Sequence, residues 1–214
     1  STAGDFNGDG IDDLLVGDWG AFSNKGAASI FFGGQNMDAT PDHVFTCPCV
    51  PGTNAFFGLA SSTAGDFNGD GLGDVVIGAT GAGFTYVFYG RTDTSNSSSL
   101  GLTTTAGNGG RSVSLAGDVN GDGFDDIIVG SNAALGAADI FFGNLSPDGT
   151  SDIALTSSVS GENFGLSVSG AGDVNGDGFP DVIVGAPTNS QVDSQAGKAY
   201  IYFGNTTMDT TVDV

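Results

Sequence analysis

A nine-residue acidic pattern recurs four times along the 214-residue chain. It reads DFNGDGIDD at 5–13, DFNGDGLGD at 66–74, DVNGDGFDD at 118–126 and DVNGDGFPD at 173–181. Successive copies start 61, 52 and 55 residues apart. A motif repeated at intervals of roughly 50 residues constrains the fold to stacked copies of one supersecondary unit, each burying its faces against its neighbours.

Within each copy, oxygen-bearing side chains fall at positions 1, 3, 5 and 9, glycine at 4 and 6, and an apolar residue at 7. Calcium takes six to eight hard oxygen ligands in a flexible shell. Positions 1, 3 and 5 of a tight loop converge on one point, position 7 offers its carbonyl, and position 9 closes the shell. The glycines allow the turn without a side-chain penalty. The four expected ligand sets are Asp5, Asn7, Asp9, the Ile11 carbonyl and Asp13; Asp66, Asn68, Asp70, the Leu72 carbonyl and Asp74; Asp118, Asn120, Asp122, the Phe124 carbonyl and Asp126; and Asp173, Asn175, Asp177, the Phe179 carbonyl and Asp181.

An EF-hand would need a bidentate Glu at position 12 between helices. That position holds Val16, Ile77, Val129 and Val184, and Glu162 is the one glutamate in the chain. β-branched and aromatic runs follow each loop, where a helix would be required. A plain Asx/Gly hairpin turn is the rival reading. Four copies with the same acidic positions argue against it, because carboxylates crowded in one turn repel unless a cation balances them.

Charge sets the partner classes. There are 25 acidic residues against 4 Lys and Arg, a formal net charge of −21. This excludes nucleic acid and anionic membrane surfaces as partners. Four Ca²⁺ would bring the charge to −13. No apolar run approaches the length of a membrane span, so no insertion is expected. Without an initiator Met or a leader, the chain reads as a processed product or part of something larger. Cys47 and Cys49 are separated by one proline, and a mutual bond, pairing with another chain and free thiols all stay open. Sequons at Asn96, Asn144 and Asn205 suit a secreted glycoprotein.

The repeat units run approximately 1–50, 51–105, 106–157 and 158–214, as one domain. Each reads as four short strands joined by Gly-rich turns, with no helical periodicity. In the last unit these are Asn163–Val168, Val182–Pro187 after the acidic loop, Gly197–Gly204, and an outer strand within 206–214. Outer strands are expected at His43–Thr46, near Leu100–Thr105 and at Ile153–Thr156. The first unit has nothing before Ser1 to serve as its inner strand, so it is expected to lack one. Four-stranded units at this period are β-propeller blades. The fold class is all-β, a four-bladed propeller that closes alone, belongs to a larger closed propeller, or closes by association of chains.

These motifs resemble the FG-GAP repeats of the integrin α-subunit N-terminal β-propeller. The resemblance is carried by Phe57-Gly58, Phe164-Gly165, Gly185-Ala186-Pro187 and the Asp-x-Asn-x-Asp-Gly-x-x-Asp loops, and it covers nearly the whole chain. The third unit departs from it, with Gly109-Gly110 for Phe-Gly and Ser131-Asn132 for Ala-Pro. The resemblance implies structural calcium sites on the face opposite the usual protein-binding face.

The expected function is a calcium-stabilised, non-catalytic extracellular propeller, secreted or at the cell surface. It would serve cell adhesion, protein–protein assembly or a structural matrix, with a protein partner or self-association. The alternative is a carbohydrate-binding propeller, for which Trp19, the only Trp, is the candidate contact beside Asp18. An accessory domain of a polysaccharide-degrading enzyme ranks below both. The single histidine, His43, falls on an outer strand, and no nucleophile set or phosphate loop is present. Arg111 stands where Leu59 and Leu166 stand in other units, and pairing with a nearby Asp is its plain reading.

Overall fold

The computed structural model describes residues 1–49, 54–93, 98–131, 136–194 and 196–214. The Asn96 sequon and Asn132 lie outside these. Four antiparallel sheets follow one another in chain order. The first contains β1 (Thr2–Gly4), β2 (Asp13–Asp18), β3 (Ala27–Phe31) and β4 (His43–Thr46). The second contains β5 (Phe57–Gly65), β6 (Asp74–Ala79), β7 (Phe84–Phe88) and β8 (Ser99–Leu102). The third contains β9 (Ser112–Gly117), β10 (Asp126–Ser131), β11 (Ala137–Phe141) and β12 (Ile153–Thr156), and the fourth β13 (Ser167–Gly172), β14 (Asp181–Ala186) and β15 (Lys198–Tyr202). Strands within each sheet are ordered as in the chain, so every unit is a meander. This is an open four-bladed propeller.

Two expectations about the blade edges are corrected. The first blade does have an inner strand: Thr2 pairs with Leu14 and Gly4 with Asp13. It spans three residues, too few to stand out in the sequence. The last blade has no regular outer strand within 206–214, among the described residues. Asp213 N–H donates to the Ile201 carbonyl (3.1 Å), as Asp42 does to Ile30 and Asp152 to Ile140 in the first and third blades. In those blades this bond immediately precedes the outer strand, so 206–212 correspond to the connection leading to it.

Each inner strand ends in a glycine with positive φ: Gly4 (68°), Gly65 (64°), Gly117 (81°) and Gly172 (68°). The pairing register shifts at each of these glycines. A left-handed residue makes such a bulge and turns the chain into the acidic loop.

Three apolar cores lie between successive sheets. Leu15, Ile30 and Phe45 meet Val75, Ile77 and Phe88. Val76, Val87 and Leu102 meet Ile127, Val129 and Phe141. Ile128, Ile140 and Leu155 meet Val182, Val184 and Tyr202. Alternate residues of one strand thus serve opposite cores, as the two-residue period requires. β6 and β10 are buried throughout because both faces are covered, whereas β2 exposes Leu14 and Val16.

Candidate metal centres

All four acidic loops join an inner strand to the second strand of its blade, at the same end of the sheets. Their hydrogen bonds repeat. In the first loop, Asp5 Oδ1 accepts from Gly8 N–H (2.8 Å) and Asp9 N–H (2.9 Å), and Asp5 Oδ2 from Gly10 N–H (2.8 Å). Asn7 Oδ1 also accepts from Asp9 N–H (2.8 Å), and Asp9 Oδ1 from Ile11 N–H (2.9 Å). Asp66, Asn68 and Asp70 repeat the bonds to the Asp70, Gly71 and Leu72 amides. Asp118, Asn120 and Asp122 do so in the third loop, as do Asp173, Asn175 and Asp177 in the fourth.

Oxygens of positions 1 and 3 therefore already meet at one point, the N–H of position 5. The second oxygen of position 5 accepts from the position-3 side-chain amide, Asn7 to Asp9 at 3.1 Å and likewise in the other loops, so the side-chain oxygens of positions 1, 3 and 5 all lie on one exposed turn. That chemistry fits a hard divalent cation. Among the described residues, no three Asp, Glu, His or Cys side chains are drawn together as a finished cluster.

Position 9 has a role that the spacing did not reveal. Asp13, Asp74, Asp126 and Asp181 are all buried. Asp74 Oδ2 accepts from Phe67 N–H (3.0 Å), and Asp74 Oδ1 from Gly90 N–H (2.8 Å). Asp13 makes the same pair of bonds with Phe6 and Gly33, Asp126 with Val119 and Gly143, and Asp181 with Val174 and Gly204. Each of these carboxylates ties its loop to the glycine two residues past the third strand. The signal was available in the glycine closing every third-strand run, at 33, 90, 143 and 204. Burial pushes the Asp74 and Asp126 carboxyls up to about 7, opposed by those N–H donors and reinforced by the acids at positions 1 and 5. Burial raises Asp13 as well.

Position 7 contributes its side chain to blade stacking. A Cβ on Gly8 would meet the Leu72 side chain at 2.8 Å; one on Gly69 would meet Phe124 at 2.3 Å, and one on Gly121 would meet Phe179 at 2.4 Å. Glycine at position 4 is thus required for close approach, in addition to its left-handed φ of 73° at Gly69.

The remaining candidates are scattered. Trp19 lies at the opposite end of β2 from the acidic loop. It is half exposed and stands edge-on to Phe56, with ring centroids 5.9 Å apart. His43 is on β4 against Phe45, and burial, then Arg91, lowers its pKa. Arg111 lines an open cavity of about 500 Å³ with Leu14, Val16 and Leu59, and no carboxylate pairs with it among the described residues. Cys47 and Cys49 are bonded to each other. Among the described residues, no helix is long and apolar enough to cross a membrane.

Comparison with known proteins agrees with this architecture. The FG-GAP repeat family model matches residues 164–202, and the FG-GAP-like repeat model matches 66–129. The chain is 32% identical over 213 residues to "Integrin alpha-V" of Gallus gallus, covering 86% of this chain and 19% of the relative. It is 29% identical over 226 residues to "Integrin alpha pat-2" of Caenorhabditis elegans, covering 87% and 17%. With "Integrin alpha-6" of Gallus gallus it shares 38% identity over 96 residues, covering 41% and 8%. The chain spans less than a fifth of the length of these relatives.

Proposed function

Since the chain belongs to the FG-GAP family of integrin α-like β-propellers, we propose that it is a calcium-stabilised, non-catalytic extracellular propeller serving adhesion or protein–protein assembly. The supporting observation is one hydrogen-bond scaffold built four times from the same residues, each with the side-chain oxygens of positions 1, 3 and 5 on its exposed rim. Asp5, Asn7, Asp9, the Ile11 carbonyl and Asp13 would hold the first ion, and the equivalent five residues of each other loop the rest. A bound cation supplies positive charge where three carboxylates crowd one turn. The chain's own residues do the remainder: position 1 folds the loop onto its amides, and position 9 anchors it to the third strand. The sites are structural, and adhesion-related assembly with protein partners is the activity that the integrin α relatives support. Equilibrium calcium binding tests this reading. Four ions per chain are expected; no saturable binding at millimolar calcium would overturn it.

A second reading, glycan binding, is favoured by the exposure of Trp19 and Phe22 on one loop. Phe22 is held at φ 50° and Ser23 at φ 60°, in the left-handed region that residues with side chains adopt uncommonly. Glycan-array binding that disappears in Trp19→Ala would support it; no binding by the native chain would end it.

A further inference from the structure

Four buried side-chain oxygens have no hydrogen-bond partner among the described residues: Thr85 Oγ1, Ser131 Oγ, Asp139 Oδ2 and Glu162 Oε1. The first three face one interface, between the second and third blades. Thr85 shares its side of β7 with Val87, and Ser131 and Asp139 share theirs with Val129 and Phe141, all members of one apolar core. None of the three residues is more than 1% exposed. Gly110 links the two blades here: a Cβ on it would meet Thr85 Oγ1 at 2.9 Å, and the next residue, Arg111, donates its N–H to Gly130, beside Ser131.

The two sister interfaces are aromatic or aliphatic at these positions. Strand register puts Tyr86 and Tyr200 where Asp139 stands, Ala79 and Ala186 where Ser131 stands, and Ala28 and Ala138 where Thr85 stands. The two tyrosine rings pack on Phe57 and Phe164, with centroids 6.4 Å and 5.2 Å apart. Gly109 replaces those phenylalanines. The middle interface has thus lost two rings and gained two hydroxyls and a carboxylate. Thr104 and Thr105 refill part of the space. A Cβ on Gly109 would meet Thr104 Cγ2 at 2.6 Å, and Thr105 donates its N–H (3.0 Å) and its hydroxyl (2.6 Å) to Asp139 Oδ1. Both bonds go to one oxygen, which leaves Oδ2 bare in the interior.

A carboxylate buried this way needs a positive partner. No Lys, Arg or His pairs with Asp139 among the described residues. A water molecule would supply hydrogen bonds without charge, and a divalent ion would leave positive charge in excess of one carboxylate. We propose that an alkali cation such as sodium sits between the second and third blades, bound by Asp139 Oδ2 and the Thr85 and Ser131 hydroxyl oxygens. It joins two blades where the sister interfaces use stacked rings. The site lies at the opposite end of the sheets from the acidic loops and does not depend on whether calcium fills them.

Thermal melting in saturating calcium, in sodium chloride against choline chloride at matched ionic strength, tests it. Calcium holds the loops in one state, and matched ionic strength removes general screening of the acidic chain. The native chain is expected to melt several degrees higher in sodium, with a gain that grows as sodium rises. Asp139→Asn is expected to lose the gain, because a neutral amide needs no counter-charge. Asp148→Asn, which changes an exposed acid, is expected to keep it. Ser131→Ala restores the sister residue and is expected to need several-fold more sodium for the same gain; it carries the test if Asp139→Asn does not fold. Equal native melts in the two salts, or an undiminished gain in Asp139→Asn or Ser131→Ala, would overturn the proposal. Failure of calcium binding would leave this comparison of two monovalent salts intact.

Discussion

The Phe124 ring lies across Gly69 of the preceding blade, so close that a Cβ on that glycine would sit 2.3 Å from the ring edge. One acidic loop is thereby roofed by the next, and two glycines in the same loop become distinguishable. Gly71 also has positive φ, 86°, yet nothing lies within 4 Å of its Cβ position. Gly71→Ala is expected to be destabilised by about 1–2 kcal/mol, from the left-handed backbone alone. Gly69→Ala adds overpacking against Phe124, about 1–3 kcal/mol more. Thermal melts of both in calcium should place Gly69→Ala several degrees lower; equal melts would show that the ring gives way freely.

Chelated protein should lose stability as pH rises. Asp74 and Asp126 sit at about 7 in the folded chain, raised from 3.8 by burial. A raised carboxyl favours the folded state when protonated, so its contribution is complete below about 4 and is lost progressively up to about 7. The loss is on the order of a few kcal/mol per site. In EGTA, the melting temperature should fall between pH 5 and pH 8, and calcium should flatten that slope. A chelated protein most stable at pH 8 would contradict the assignment.

Removing one rim ligand should subtract one ion and little else. Asp70 is an exposed group whose carboxylate receives Leu72 N–H and the Asn68 amide. Asp70→Ala should reduce calcium stoichiometry by one, and its melting temperature in EGTA should stay near the parent's. Asp74→Ala should instead destabilise the protein in both conditions, because it leaves the buried Phe67 and Gly90 amides unpaired at about 1–3 kcal/mol each.

Glu162 anchors a polar cluster inside the last blade. Its Oε2 accepts from the Tyr200 hydroxyl (2.8 Å) and from the Asn189 side-chain amide. All three residues are buried, and position 162 corresponds to Ala55 in the second blade. Glu162→Ala would strand two buried donors and should lower stability by about 2–4 kcal/mol in denaturant titration. Glu162→Gln keeps an acceptor and should fall well short of that loss. Equal losses would show that charge, rather than hydrogen bonding, matters at this position.

The repeat made most of the fold legible. His43–Thr46 and Ile153–Thr156 form outer strands with the expected bounds, because apolar alternation and flanking turn residues coincide there. Thr2–Gly4 was missed because a three-residue strand carries no period. Residues 206–212 have a Thr-rich, strand-like composition, yet Met208 alone among them is buried in the core, without the alternation of a strand. At the loops, positions 1, 3 and 5 could be read from local spacing. The clamp by position 9 could not, since it reaches Gly33 or Gly90, 20 or 16 residues away.

Thermal unfolding in calcium and in EGTA tests the central claim most directly, that each loop is completed by a cation. With dissociation constants of about 10⁻⁴–10⁻³ M, roughly 10 mM calcium should add about 1.4–2.7 kcal/mol per independent site. The account predicts a melting temperature that falls markedly on chelation and returns when calcium is restored. An identical melt in both buffers would contradict it.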